Sequence, residues 1–438
     1  FMPTTESRSS YARMILLQWN QDALYVRLFG GIATYLAKIL GVLILIVVIV
    51  GGVWGQQDVS RNIAPSLIWI GFWVGLIFIV AVFGNLWSIM NPWNTIFASI
   101  ERVALIVGLD RISRNRHYPS YLNSWPAVIF FGGFAWFELV DPRSSEPDRL
   151  AIAVLAYSMV TFAGMWWFGR VTWLKHAEVF SVLFDLLSSL APFHLYTSNK
   201  SNGGKERLPK QTSIAIRWLG AGLLEPRGLS ISIAVLIVFW LSSVTFDGLT
   251  ETPFWSRINT EIITAFPESG SVALRIFHSI SIVLSLIILF GLVVASAFVT
   301  GLLSNQMGQT SRLVSEFAYL LIPIAMAYHI AHYFSFLLIQ GQLLIPLLSD
   351  PLGMGWDLFN TGDYQINIGV INARMAWLIG VFCVIIGHCV TIILSHKVIK
   401  QNRPASINRL RSNLPMLVLA VAYSMLSLWI LAQPITEH

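Results

Sequence analysis

The stretch Val272–Leu303, VALRIFHSISIVLSLIILFGLVVASAFVTGLL, decides the fold. Its one formal charge is Arg275, near its start. A helix crosses the hydrocarbon layer of a bilayer with about 20 apolar residues. This run exceeds that length, and eight comparable runs recur along the chain. The whole sequence has 438 residues, of which 55% are hydrophobic and 11% charged. Soluble domains carry about 25% charged residues. A soluble enzyme, a nucleic-acid binder and a disordered chain are therefore excluded. The formal charge of +6 is no nucleic-acid signature, because the cations sit between the apolar runs. The two cysteines, Cys383 and Cys389, fall within one run, which excludes a disulfide scaffold or a four-cysteine zinc site.

The expected fold is all-α, a polytopic helical bundle. Nine spans are predicted, at 33–53, 66–90, 124–140, 150–168, 229–246, 272–303, 313–346, 371–396 and 413–432. The third is the shortest and carries Glu138 near its end. The seventh contains Pro323, where a missing N–H predicts a kink. Lys and Arg alternate in phase with this count. Segments assigned to the inside hold most of them, including Arg102, Arg111, Arg114, Arg116, Lys397 and Lys400. Segments assigned to the outside hold only Arg61, Arg143, Arg149 and Arg257. The positive-inside rule then puts the N-terminus in the cytoplasm and the C-terminus outside. A bacterial inner membrane is the expected location.

Four regions follow. Residues 1–31 form an N-terminal interfacial segment, with 9–30 read as an amphipathic helix. Residues 32–168 hold the first four spans. Residues 169–228 are cytoplasmic, with an amphipathic helix over 171–193 and a polar loop after it. That helix is expected on the membrane surface, with re-entry as the alternative. Residues 229–438 hold the last five spans.

Ionisable groups inside spans are costly and mark function. The seventh span carries Tyr328-His329-Ile330-Ala331-His332-Tyr333, with two histidines one turn apart. The eighth carries His388 at a similar depth, counted at about 1.5 Å per residue. His329, His332 and His388 are thus candidate ligands of a divalent transition metal, copper, zinc or iron. Facing histidines could alternatively hold haem, relay protons, or simply hydrogen-bond neighbouring helices. Glu316, at the start of the seventh span, is the candidate catalytic proton acceptor. His278, Glu138 and Asp141 are further candidate partners, and both cysteines read as small buried residues. Asp350, Asp357 and Asp363, with Asp247 and Glu251, suggest either a cation-attracting outer vestibule or solvated turns.

The segments WFELVDP (136–142), AYHIAHYFSFLLIQGQ (327–342), LSDPLGMGWDLFNT (348–361) and GHCVTIILSH (387–396) resemble bacterial polytopic membrane proteins labelled fenitrothion hydrolase. The resemblance spans the third to eighth crossings. It implies a membrane-embedded hydrolytic site and brings no residue roles with it. Three functions stay open: a metal-dependent membrane hydrolase, a secondary transporter of a metal ion or small solute, and a haem-binding or accessory subunit of a redox complex. Expected partners are the lipid bilayer, a small-molecule or metal ligand, and other membrane subunits, with no nucleic acid.

Overall fold

The structure, a computed structural model, describes residues 14–20, 24–109, 112–198, 211–225, 228, 230–402 and 409–433. Its main helices are α1 (Leu24–Trp54), α2 (Ile63–Phe83), α3 (Pro92–Ile106), α4 (Trp125–Leu139), α5 (Pro147–Phe168), α6 (Arg170–His176) and α7 (Val179–Ser188). There follow α8 (Ile231–Thr250), α9 (Pro253–Ala265), α10 (Gly270–Leu303), α11 (Thr310–Leu320), α12 (Ile322–Gln340), α13 (Ala373–Asn402) and α14 (Arg409–Leu431). Among the described residues, eight segments are helical, long and apolar enough to cross a membrane. The third expected crossing is α4, with only 15 residues.

At its extremes, burial runs opposite to hydropathy. The most apolar segment, Gly270–Leu303, has a mean hydropathy of 2.9 and only 17% of its apolar window buried. The least apolar, Met307–Ser349, has 1.5 and 89%. Water-soluble folds place their apolar residues inside. Here Ile276, Ile280, Ile287 and Leu292 face outward along α10. Such a surface is stable only against hydrocarbon, so the chain is an integral membrane protein.

Helix–helix packing uses small residues where backbones approach closely. A Cβ at Gly387 of α13 would lie 2.4 Å from the Ala327 side chain and 2.8 Å from the Pro323 carbonyl. Gly380 faces Ala331 in the same way, and Thr391 Oγ1 donates to the Leu320 carbonyl at 3.1 Å. Residues 323, 327 and 331 are thus the stripe of α12 that meets α13. The expected break at Pro323 is present: α11 ends at Leu320, and Pro323 stands in the first turn of α12. Proline fits there because the first-turn N–H groups have no intrahelical acceptor. Within α2, Ser66–Gly75 is a π-helix, a geometry that turns side chains off the α register and clusters at functional sites.

Two expectations are corrected. Met14–Asn20 is not part of an interfacial helix. It is strand β1, antiparallel to β3 (Gln211–Ile216), which also pairs with β2 (Phe193–Ser198) in the order β1-β3-β2. The fold is therefore helical with one small sheet. Much of the polar loop, residues 199–210, lies outside the described residues.

The second correction concerns 171–193. It divides into α6 and α7, and α7 is buried in the bundle rather than lying on its surface. Val179, Phe180, Val182, Leu183, Phe184, Leu186 and Leu187 are all buried, against α2, α4, α6 and the turn Trp87–Met90. A helix apolar nearly all round belongs inside.

Candidate functional site

The His-bearing helix α12 presents three faces. One meets α13, as above. A second meets α8 at Gly248, where a Cβ would lie 2.6 Å from the Tyr328 hydroxyl and 3.5 Å from His332 Nδ1. That gap brings α8 close enough for Asp247 to reach across. His332 Nε2 donates to Asp247 Oδ2 at 3.0 Å, and the Tyr333 hydroxyl donates to the same oxygen. Because an ionised carboxylate only accepts, this bond assigns the proton to Nε2 and leaves Nδ1 as the basic nitrogen. The side chains of His332 and Asp247 are 8% and 20% exposed.

The third face carries His329, which is completely buried. Its ring lies 4.7 Å from that of Tyr333 and 5.9 Å from those of Trp73 and Trp240, centroid to centroid. Trp73 comes from the π-helical part of α2, and Trp240 from α8. Neither imidazole nitrogen has a hydrogen-bond partner among the described residues, and the same holds for the Tyr328 hydroxyl and Trp240 Nε1. Buried polar atoms in native proteins are nearly always paired, so such a concentration marks a site rather than a scaffold. Glu138 and Glu251 add their fields: Glu138 to Asp247 and Tyr333, Glu251 to His332, Tyr328 and Tyr333.

The three expected metal ligands do not converge. His388 Nδ1 lies 2.7 Å from the Val384 carbonyl, and Nε2 lies 3.1 Å from the Ala420 carbonyl of α14. Carbonyls only accept, so a neutral ring donates to one of the two and lies against the other, as a strut between α13 and α14. The reason is angular. His329 is two residues past Ala327, about 200° round the helix from the stripe that meets α13. Matching depth did not bring matching direction. Among the described residues, no three His, Cys, Asp or Glu side chains gather closely enough to hold a metal ion. The described donors therefore do not assemble the expected three-ligand metal site.

Glu316 is ion-paired to Arg312 at 2.9 Å, thirteen residues from His329 and so roughly 20 Å away by helical rise. It does not join the cluster. His278 accepts from Trp255 Nε1 at 3.1 Å and also meets Asn259 Oδ1, tying α10 to α9. Cys389 is exposed and Cys383 half-buried. The acidic loop folds on itself. Asp350 accepts from the amides of Met354 and Gly355; Asp357 accepts from Ser349 Oγ and from the amides of Thr361 and Gly362. The solvated-turn reading, not the vestibule, describes these two acids.

A second buried polar site escaped the sequence reading. Glu178 caps α7 and is fully buried. It accepts from the Phe180 amide (3.1 Å), the Ser181 amide (2.8 Å), the Ser181 hydroxyl, the Tyr157 hydroxyl (2.6 Å), Asn91 Nδ2 (3.2 Å) and Trp87 Nε1 (3.5 Å). At the other end of α7, Arg217 donates to the carbonyls of Ser188, Ser189 and Ala191. Each charge sits on the helix end whose dipole it opposes. The sequence carried no standard signal for it: Glu178-x-x-Ser181 stands directly before an apolar run but reverses the Ser/Thr-x-x-Glu order of a capping box.

Comparison with family models, curated proteins and solved structures finds no similar protein. The class defined by fold and site is a multi-pass helical membrane protein with a buried, incompletely satisfied His–Asp–Tyr cluster.

Proposed function

We propose that this protein is a proton-coupled secondary transporter of a small solute, residing in a bacterial inner membrane. In this reading the chain crosses nine times, with α4 as the short third crossing, the N-terminus inside and the C-terminus outside. The alternation of Lys and Arg supports that orientation.

One observation carries the reading: Asp247, His332 and Tyr333 form a hydrogen-bonded chain inside the spans, next to an imidazole whose two nitrogens have no partner among the described residues. Intramembrane carboxylates and histidines of this kind relay protons. His332 Nδ1 takes the proton, and Asp247 holds the resulting imidazolium in place. The Tyr333 ring bridges towards His329, a second acceptor in a water-poor box.

The experiment is reconstitution into proteoliposomes loaded with a pH-sensitive dye, with candidate solutes supplied against an imposed pH gradient. Solute-dependent proton flux is expected from the wild type and is lost in Asp247→Asn and His332→Ala. No solute-linked flux with any candidate, or flux unchanged in both variants, defeats the reading.

A second reading is a membrane hydrolase acting on an apolar ester. The Asp247–His332 dyad favours it, because a carboxylate that orients an imidazole is a general-base arrangement. The resemblance to the fenitrothion hydrolase group points the same way. Turnover of an apolar phosphotriester that disappears in His332→Ala would move the assignment there.

A further inference from the structure

A chamber of about 650 Å³ lies between α1, α2, α4, α5, the turn Trp87–Met90 and the starts of α3 and α7, well within the size range of ligand pockets. Every residue lining it is apolar or glycine except Tyr157, and none is charged. Its inner wall includes Trp69, Phe72 and Phe134. The lining residues that are also exposed are Ile79, Ile129, Gly133, Ala156 and Val160. All five belong to apolar helices, so the mouth opens sideways, not towards either aqueous face.

Water has no polar partners in such a space, and an apolar cavity of this kind stays dry. The medium at the mouth of an integral membrane protein is acyl chain. We propose that the chamber is a lateral binding site for one acyl chain of a bilayer phospholipid, with the chain inserted between α2 and α4. Fluid lipid tails offer looser packing than fixed aromatic walls, and close packing is what retains an apolar group in a membrane. The inserted chain end reaches Phe134, whose ring lies 4.6 Å from that of Trp73, which in turn contacts His329. The π-helical stretch makes both contacts, presenting Trp69 and Phe72 to the chamber and Trp73 to the imidazole. One aromatic layer thus separates the chain from the polar cluster. The proposal stands on the chamber and holds whichever activity the cluster has.

The glycines supply the test. A Cβ at Gly133 meets nothing within 4 Å, and one at Gly71 meets only the Ser66 carbonyl at 3.8 Å. Gly133→Leu and Gly71→Leu therefore fill the space from two different helices without a backbone clash. The probe is a phosphatidylethanolamine with a diazirine on one acyl chain, in vesicles of phosphatidylethanolamine and phosphatidylglycerol. Crosslinks are mapped by peptide mass spectrometry, with the exposed helix α10 as the reference for ordinary lipid contact. Peptides holding Trp69, Phe72 and Phe134 are expected to label several-fold more heavily than α10, and each leucine variant is expected to lower them to the α10 level. Wild-type labelling no heavier than on α10, or enrichment that survives both substitutions, overturns the proposal. If neither variant folds, the wild-type ratio alone decides.

Discussion

The molecule sets two carboxylates among aromatic rings, Glu178 buried and Asp247 half-buried, and treats them oppositely. Glu178 accepts from six donors and sits on the positive end of a helix. Asp247 accepts from two side chains, lies in the field of Glu138, and adjoins an imidazole that bonds nothing among the described residues. A fully bonded buried anion is fixed in place, because any movement breaks several charge-assisted bonds at once. A sparsely bonded one keeps capacity to exchange partners. On the proposed function the contrast places Glu178 in the architecture and Asp247 in the working site, although both are acids in an apolar frame.

The sharpest way to break this contrast is Glu178→Ala. It strips the acceptor from six donors, three of them in fully buried bonds, and a loss of roughly 3 kcal/mol is expected. The apparent thermal unfolding midpoint in detergent should fall clearly. Asp247→Asn keeps an acceptor for His332 or Tyr333 and should cost about 1 kcal/mol while abolishing activity. Equal destabilisation by the two would erase the distinction. Next in size is Arg217→Met, which removes the cation from the carbonyl end of α7. A cost of about 2 kcal/mol is expected, read as faster amide exchange confined to α7 and its neighbours.

His329→Leu goes the other way. An apolar side chain of similar size replaces two nitrogens that bond nothing among the described residues, in an aromatic box. A gain of about 1 kcal/mol is expected together with loss of activity. A lower melting midpoint in this variant would show that the imidazole is bonded by something in the membrane. The smallest effect concerns the outer loop. The Ser349 hydroxyl, with the Gly362 and Thr361 amides, holds Asp357 below the usual carboxylate range. The ordering it provides is present above the ordinary Asp value near ~3.9 and is lost as pH falls through the lower folded value. Proteolysis within 350–362 should accelerate only in strong acid, and Asp357→Asn should flatten that dependence.

The spans were legible because a crossing helix must be apolar over a fixed length, whatever its neighbours. The break at Pro323 was legible for a similarly local reason, the missing N–H. The site was half legible. His329 and His332 were singled out by burial cost alone, and both lie at the cluster. His388 was added by depth, and direction defeats it. The stripe Pro323, Ala327, Ala331 facing Gly380 and Gly387 was readable as a small-residue seam, and it turns His329 away from α13. Asp247 read as an outer acid because nothing local reveals its reach across Gly248 to His332. The stretch 171–193 read as a surface helix because Lys175, Glu178 and Asp185 gave it a polar face. Glu178 in fact turns inward, satisfied by residues 21 to 91 positions earlier, which no local pattern encodes.

The capped helix α7 also bears on how the chain is made. Its 10 residues are about half the length that a membrane-insertion apparatus can recognise as a crossing. It must enter by docking onto protein already in place. The side chains from other helices that receive Glu178 are Trp87, Asn91 and Tyr157, all synthesised earlier. Arg217, which closes the opposite end, emerges only afterwards. The order of the residues along the chain is thus an assembly order: socket first, then plug, then latch.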